Sequence, residues 1–199
     1  MKTVYRRVIY QSRKYNNKVK SATIVGEALK LHPHGDDPVY SVLVEMTCPY
    51  GRFPLFDGKG NFGGLGFSSA ASRYTEARLS DLARLMYLDL VDYAEFEEGE
   101  TGYNEPKYLP ALIPYCFLAG SQGMSVGLPT TNIPPLNPMD LVNFYIDYLE
   151  GNEFHYPAPD FGGVIMDCDK TEHSDEMLRT GYGKLGYRDW KQFPSHDSS

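Results

Sequence analysis

Ser21-Ala22-Thr23-Ile24-Val25-Gly26-Glu27-Ala28-Leu29-Lys30-Leu31-His32-Pro33-His34-Gly35-Asp36-Asp37-Pro38-Val39-Tyr40-Ser41-Val42-Leu43-Val44-Glu45-Met46 is the stretch that decides the fold. Ser21 is placed to cap a helix through Leu31, in which Ile24, Val25, Ala28 and Leu29 recur at helical spacing. Pro33 disfavours helix at His32, and Gly35 permits a sharp turn. Asp36 or Asp37 then caps a second helix, with Pro38 in its first turn and Val39, Val42, Leu43 and Met46 as its apolar stripe. Helix, short turn, helix is the geometry of a helix-turn-helix, whose second helix can enter a major groove.

Upstream, residues 2–15 read as a basic amphipathic helix with Val4, Val8 and Ile9 on one side and no N-cap. Downstream, glycines and aromatics between Thr47 and Ser69 predict short strands and exposed loops, consistent with a wing. Thr75 to about Tyr93 reads as helix, with Leu79, Leu82, Ala83, Met86 and Leu90 at the 3.6 period. Residues 94–106 are expected to form an acidic loop, and residues 107–135 strands and turns. Asn137 as N-cap and Pro138 behind it open a helix through Glu150, closed by Gly151. One strand follows, Gly162 to Met166, then a Gly- and Tyr-rich tail. The pattern is α+β, with a winged-helix domain over 1–150 and a smaller segment over 151–199.

The net charge of −7 argues by itself against a nucleic-acid protein, but its distribution does not. Residues 1–30 carry eight Lys or Arg against Glu27 alone, residues 31–80 come to −1, and the remainder to −13. A polyanion-binding N-terminal part and an acidic, solvated C-terminal part fit this asymmetry; a basic helix that is merely a soluble face also fits it. Cys48, Cys116 and Cys168 are far apart and form no CxxC pair, as expected of free thiols in a cytoplasmic chain. No apolar run approaches the roughly 20 residues that span a bilayer.

The chemistry concentrates at Ala70-Ala71-Ser72-Arg73-Tyr74-Thr75-Glu76-Ala77-Arg78-Leu79. A free phenol ionises near pH 10 and is a poor nucleophile without a neighbouring cation or base. Arg73 beside Tyr74, and Arg78 on the predicted helix, would stabilise a phenolate and the charge developing on an attacked phosphate, with Glu76 orienting one of them. His32 and His34 lack the further ligands that a zinc site needs, so a phosphate contact, proton handling or a backbone-bonded turn remain their readings. Asp57-Gly58-Lys59-Gly60-Asn61-Phe62-Gly63-Gly64 lacks P-loop spacing; its glycines would let backbone approach DNA or a partner chain. Met124, between Gly123 and Gly127, suits a wedge between base steps or a gap-filler in a core.

These motifs, with Val4-Tyr5-Arg6-Arg7-Val8, Lys20-Ser21-Ala22, Asn132-Ile133-Pro134-Pro135, Pro159-Asp160-Phe161 and Arg179-Thr180-Gly181-Tyr182-Gly183-Lys184, occur in the order found in one family. The chain resembles the A-type, breakage-reunion subunit of type IIA DNA topoisomerases, the A subunit of gyrase or topoisomerase IV. The resemblance implies a winged-helix DNA-gate domain followed by the start of a tower domain. It implies that Tyr74 attacks a phosphodiester to form a 5′-phosphotyrosine link, assisted by Arg73. Arg6, His32, His34 and Arg52 match positions that contact the backbone or scissile region of DNA; Arg7, Lys20 and Lys59 join the expected DNA-binding set. Met124 stands where the family usually has an Ile that bends DNA.

The expected partners are double-stranded DNA, a second copy of the chain, and a B-type subunit carrying the ATPase and a Toprim domain. Two A-type and two B-type subunits would assemble, with Mg2+ held by the Toprim domain, ATP used by the partner, and no metal ligand in this chain. Asp37 and Ser41 replace the Ser and acid that are usual at quinolone-contacting positions, and Thr3 and Tyr5 replace the common Pro and His. The segments that would precede Met1 and follow Ser199 are expected to be missing, as in a truncated or split gene product. The alternative is a non-catalytic helix-turn-helix module, or an inactive fragment.

Overall fold

The computed structural model describes residues 1–48, 53–125, 128–154, 157, 160, 163–166 and 184–187. It divides into two compact units, Met1–Pro114 and Tyr115–Ser199.

In the first unit, α1 (Thr3–Ser12), α2 (Ser21–Leu29) and α3 (Asp36–Thr47) pack around Val8, Ile9, Ile24, Val25, Ala28, Val39, Leu43 and Met46, all buried. Each helix turns its apolar stripe inward, as the sequence periodicity requires. Three short strands close the unit: β1 (Val19–Lys20), β2 (Phe56–Lys59) and β3 (Glu76–Leu79), in the antiparallel order β1-β3-β2. The long β2–β3 connection is the wing, and the unit is a winged-helix domain of α+β class.

Two expected caps are realised differently. Ser21 is the first residue of α2 rather than its cap; its Oγ, fully buried, accepts from Thr75 Oγ1 at 2.8 Å. Before α3 the cap position belongs to Gly35 at φ 98°, a conformation other residues rarely adopt. Asp36 and Asp37 follow in the first turn, where carboxylates favour the helix dipole without capping through their side chains.

The helix expected from Thr75 is interrupted. Residues 76–79 form β3 instead, with Ala77 and Leu79 buried and Glu76 and Arg78 less so, the period-two pattern of a strand with one face on the core. Pairing decides it: Ala77 lies opposite Val19 on one side and Gly58 on the other. The helix α4 (Asp81–Tyr87) starts only after Ser80, whose Oγ accepts from the Ala83 N–H at 3.1 Å, and a 3-10 run (Leu88–Tyr93) extends it. The acidic segment is a hairpin rather than a loop, with β4 (Phe96–Glu98) antiparallel to β5 (Asn104–Pro106).

The second unit holds α5 (Tyr115–Ala119), a helix in a region whose sequence predicts only strands and turns. The hairpin β6 (Ser121–Ser125) and β7 (Leu128–Ile133) follows, then α6 (Pro138–Glu150) and the pair β8 (Gly163–Met166) and β9 (Lys184–Tyr187). The helix α6 follows its sequence signals throughout. Asn137 Oδ1 accepts from the Met139 and Asp140 N–H groups, and Gly151 ends the helix at φ 73°. Among the described residues no helix is long and apolar enough to cross a membrane.

Candidate nucleic-acid interface and nucleophile

Tyr74 sits in the turn where the wing descends into β3, with its side chain 66% exposed. The Arg73 guanidinium carbon lies 4.9 Å from the Tyr74 ring centroid, and no carboxylate pairs with Arg73 among the described residues. A guanidinium over the ring face is held there by the ring's negative face, which leaves its positive charge beside the phenol.

The exposed phenol stands on a fixed backbone. The first amides of α2 have no partner within their own helix. Here the Ser21 N–H donates to Thr75 O at 2.9 Å and the Ala22 N–H to Ser72 O at 3.2 Å, so the start of α2 grips the chain on both sides of Tyr74. From α3, the Tyr40 hydroxyl donates to Ala70 O at 2.6 Å and lies 3.0 Å from Thr75 Oγ1. On the wing, Ala70 N–H donates to Asn61 O, and Gly60 at φ 104° brings its backbone against Tyr74 O. The phenol is free to meet a ligand while the peptide carrying it is held by both helices of the helix-turn-helix.

Glu76 does not orient an arginine. In the centre of the sheet it bridges Lys20 on β1 and Lys59 on β2, at 2.9 and 3.5 Å, and Lys20 holds its carboxyl below the usual range. Arg78 is on a strand and pairs with Asp57 at 2.9 Å and Asp81 at 3.5 Å. Lys20 and Lys59 are thus drawn together beside the base of the wing, both substantially exposed.

A second cluster gathers at the other end of α2. Arg7 is buried, and its Nε and Nη2 donate to the two oxygens of buried Glu105 at 2.7 and 2.6 Å. Arg7 Nη1 lies 2.9 Å from His32 Nδ1. Because a guanidinium only donates, Nδ1 must accept, which makes His32 neutral with its proton on Nε2. Burial, then the charge of Arg7, then His34, pushes His32 below the ordinary histidine value. The His34 ring stands edge-on to His32 at 4.6 Å, and its Nε2 meets Glu100 Oε2 at 3.0 Å. Arg6 pairs with Glu105 at 3.2 Å and donates to Lys107 O, while its Nε is buried without a hydrogen-bond partner among the described residues.

Two groups of expected site residues are therefore assembled separately. Tyr74 and Arg73 lie by the start of α2, with Lys20 and Lys59 on the neighbouring strands; Arg6, Arg7, His32 and His34 lie by its end. The nine residues of α2 span about 13 Å between them. Arg7 is buried, with its guanidinium held by Glu105 and His32 and one further contact to the exposed Glu100. Met124 lies on β6 of the second unit, and Arg52 lies outside the described residues. Sequence reasoning missed Glu105, Glu100, Thr75 and Tyr40; for the two acids the available signal was the charge match between residues 94–106 and the basic N-terminus. Among the described residues no group of three or more His, Cys, Asp or Glu side chains could hold a metal ion.

A family model for the A subunit of DNA gyrase and topoisomerase IV matches residues 1–196. The DNA gyrase A subunit of Buchnera aphidicola subsp. Acyrthosiphon pisum (strain APS) is 38% identical over 205 residues, covering 94% of this chain and 24% of that protein. The DNA gyrase A subunit of Escherichia coli (strain K12) is 37% identical over 207 residues, covering 94% and 23%. That of Aminobacterium colombiense (strain DSM 12261 / ALA-1) is 39% identical over 213 residues, covering 94% and 25%. The chain spans about a quarter of the length of these relatives. With a winged helix whose wing presents a tyrosine, and a match over nearly its whole length, the chain belongs to the family of DNA gyrase and topoisomerase IV A subunits.

Proposed function

We propose that this chain supplies the DNA-gate part of the A-type polypeptide of a type II topoisomerase, with Tyr74 as the nucleophile that cleaves and rejoins DNA. The observation that carries the reading is the exposed Tyr74 phenol beside Arg73, which no carboxylate neutralises among the described residues, on a peptide clamped to the start of α2. The phenol loses its proton as its oxygen attacks phosphorus. The bond to the 3′-oxygen breaks, that oxygen takes a proton, and the 5′-phosphate stays on Tyr74. Rejoining is the reverse attack by the 3′-hydroxyl. Arg73 stabilises the phenolate and the charge spread over the phosphoryl oxygens. Arg6, His32, His34, Lys20, Lys59 and Arg52 hold the DNA backbone, Arg7 braces the histidines, and Met124 acts as the wedge.

In this reading Mg2+ is held by the Toprim domain of a B-type partner that also uses ATP. A second copy of the chain supplies the tyrosine for the opposite strand, in a cytoplasmic assembly of two A-type and two B-type subunits.

The test mixes the chain with a B-type partner, Mg2+ and supercoiled plasmid, then adds detergent and protease. Linear DNA with a protein adduct on its 5′ end is expected, and Tyr74→Phe is expected to abolish it. DNA binding by the wild-type chain without any adduct would point instead to a non-catalytic binding module.

A further inference from the structure

We propose that Glu100 is a built-in competitor for DNA phosphate, occupying the anion site formed by Arg7 and His34 until DNA displaces it. This rests on the DNA-gate reading above and adds a regulatory element to the same surface.

The two acids around Arg7 differ in kind. Glu105 is 2% exposed and takes two short, parallel hydrogen bonds from the guanidinium, which makes it a fixed part of the fold. Glu100 is 53% exposed and reaches Arg7 Nη2 with Oε1 only at 3.3 Å, while Oε2 meets His34 Nε2 at 3.0 Å. One carboxylate thus bridges a donor from α1 and a donor from the helix-turn-helix turn through its two oxygens. Two oxygens of a phosphodiester present the same pair of acceptors, so one anion can replace the other.

Glu100 is also placed to leave. It rides on the turn between β4 and β5, between Gly99 and Gly102, the latter at φ 77°. The turn is fastened to the helix-turn-helix by Thr101, whose Oγ1 donates to Lys30 O at 2.5 Å at the end of α2. Glu98, on β4, is equally acidic and exposed but has no ion pair among the described residues. While Glu100 is seated, the site is neutralised and a negative charge faces incoming DNA. When a phosphate takes both donors, the hairpin tip is released.

Binding of a short labelled duplex to the full chain, followed by fluorescence anisotropy, tests this. Glu100→Gln keeps the side chain's shape, removes the competing charge, and is expected to tighten binding about twofold to fivefold. Glu98→Gln removes an equal charge from the same hairpin and is expected to change affinity little. Thr101→Val loosens the tip without changing charge and is expected to shift affinity in the same direction as Glu100→Gln. Equal gains from Glu100→Gln and Glu98→Gln would overturn the competitor role, since general charge repulsion then suffices. If the covalent adduct fails to form while these affinity shifts persist, the cleavage chemistry falls and the competitor stands. If no variant binds the duplex, both fall.

Discussion

In the proposed function Tyr74 is the nucleophile, and its surroundings are a guanidinium over its ring and a pinned peptide beneath. Replacing Arg73 by Ala is expected to lower the cleavage rate about a hundredfold, the scale of losing one transition-state donor. Arg73→Lys should recover part of this, because an ammonium restores charge without the planar fork; equal rates for wild type and Arg73→Ala in single-turnover cleavage would remove Arg73 from the mechanism. At the other cluster the titration has a defined sign. His32 is held below its unfolded value, so as pH falls below about 6.5 the unfolded chain takes up protons more readily and stability declines. Glu105 and Glu100, held low chiefly by Arg7, contribute stability that is retained at neutral pH and lost below the ordinary carboxylate range. His32→Asn keeps an acceptor near Nδ1 but cannot titrate. Its urea midpoint should therefore fall less than the wild-type midpoint between pH 7 and 5.5, and parallel declines would show that His32 does not govern this window.

Among the elements, the wing depends on two close approaches that a side chain would prevent. A Cβ on Gly58 would lie 2.5 Å from Thr47 Cγ2 and 2.6 Å from the Phe62 ring, both in the packed interior. Gly58→Ala is expected to destabilise the first unit by about 1–3 kcal/mol through overpacking, read as a lower midpoint in chemical unfolding. An unchanged midpoint would mean that the base of the wing is loosely packed. The three-stranded sheet is so short that its polar face matters: Glu76 between Lys20 and Lys59 ties both outer strands to the central one. The β4–β5 hairpin likewise docks through charge, but Phe96 also meets Tyr10 of α1 edge-on at 6.0 Å. An acidic segment that reads as solvated in the sequence is thus an element of the fold, because its acids find the N-terminal arginines.

At the scale of the whole molecule, net charge conceals an internal pairing: Arg6, Arg7 and Lys20, all within residues 1–30, are matched by acids from elsewhere in the chain. The core of the first unit and both site clusters fall within Met1–Pro114. Residues 1–114 alone are therefore expected to unfold in one cooperative transition by circular dichroism; a broad, non-cooperative melt would show that the second unit is needed for the fold. The helix-turn-helix and α6 are legible in the chain's local signals, since Gly35, Asn137, Pro138 and Gly151 act within a few residues of where they stand. Tyr74 and Arg73 stand out in the sequence for a different reason, their chemistry and the family motif around them. Residues 76–79 are different: four residues of alternating polarity take their form from the neighbours they pair with, so their strand is settled by tertiary contacts. Ser21 receives a hydrogen bond from Thr75, 54 residues away, and Arg7 is buried by Glu105, 98 residues away. Contacts at such separations arise only when the chain folds back on itself, and that return divided a row of basic residues into one buried guanidinium and several exposed cations.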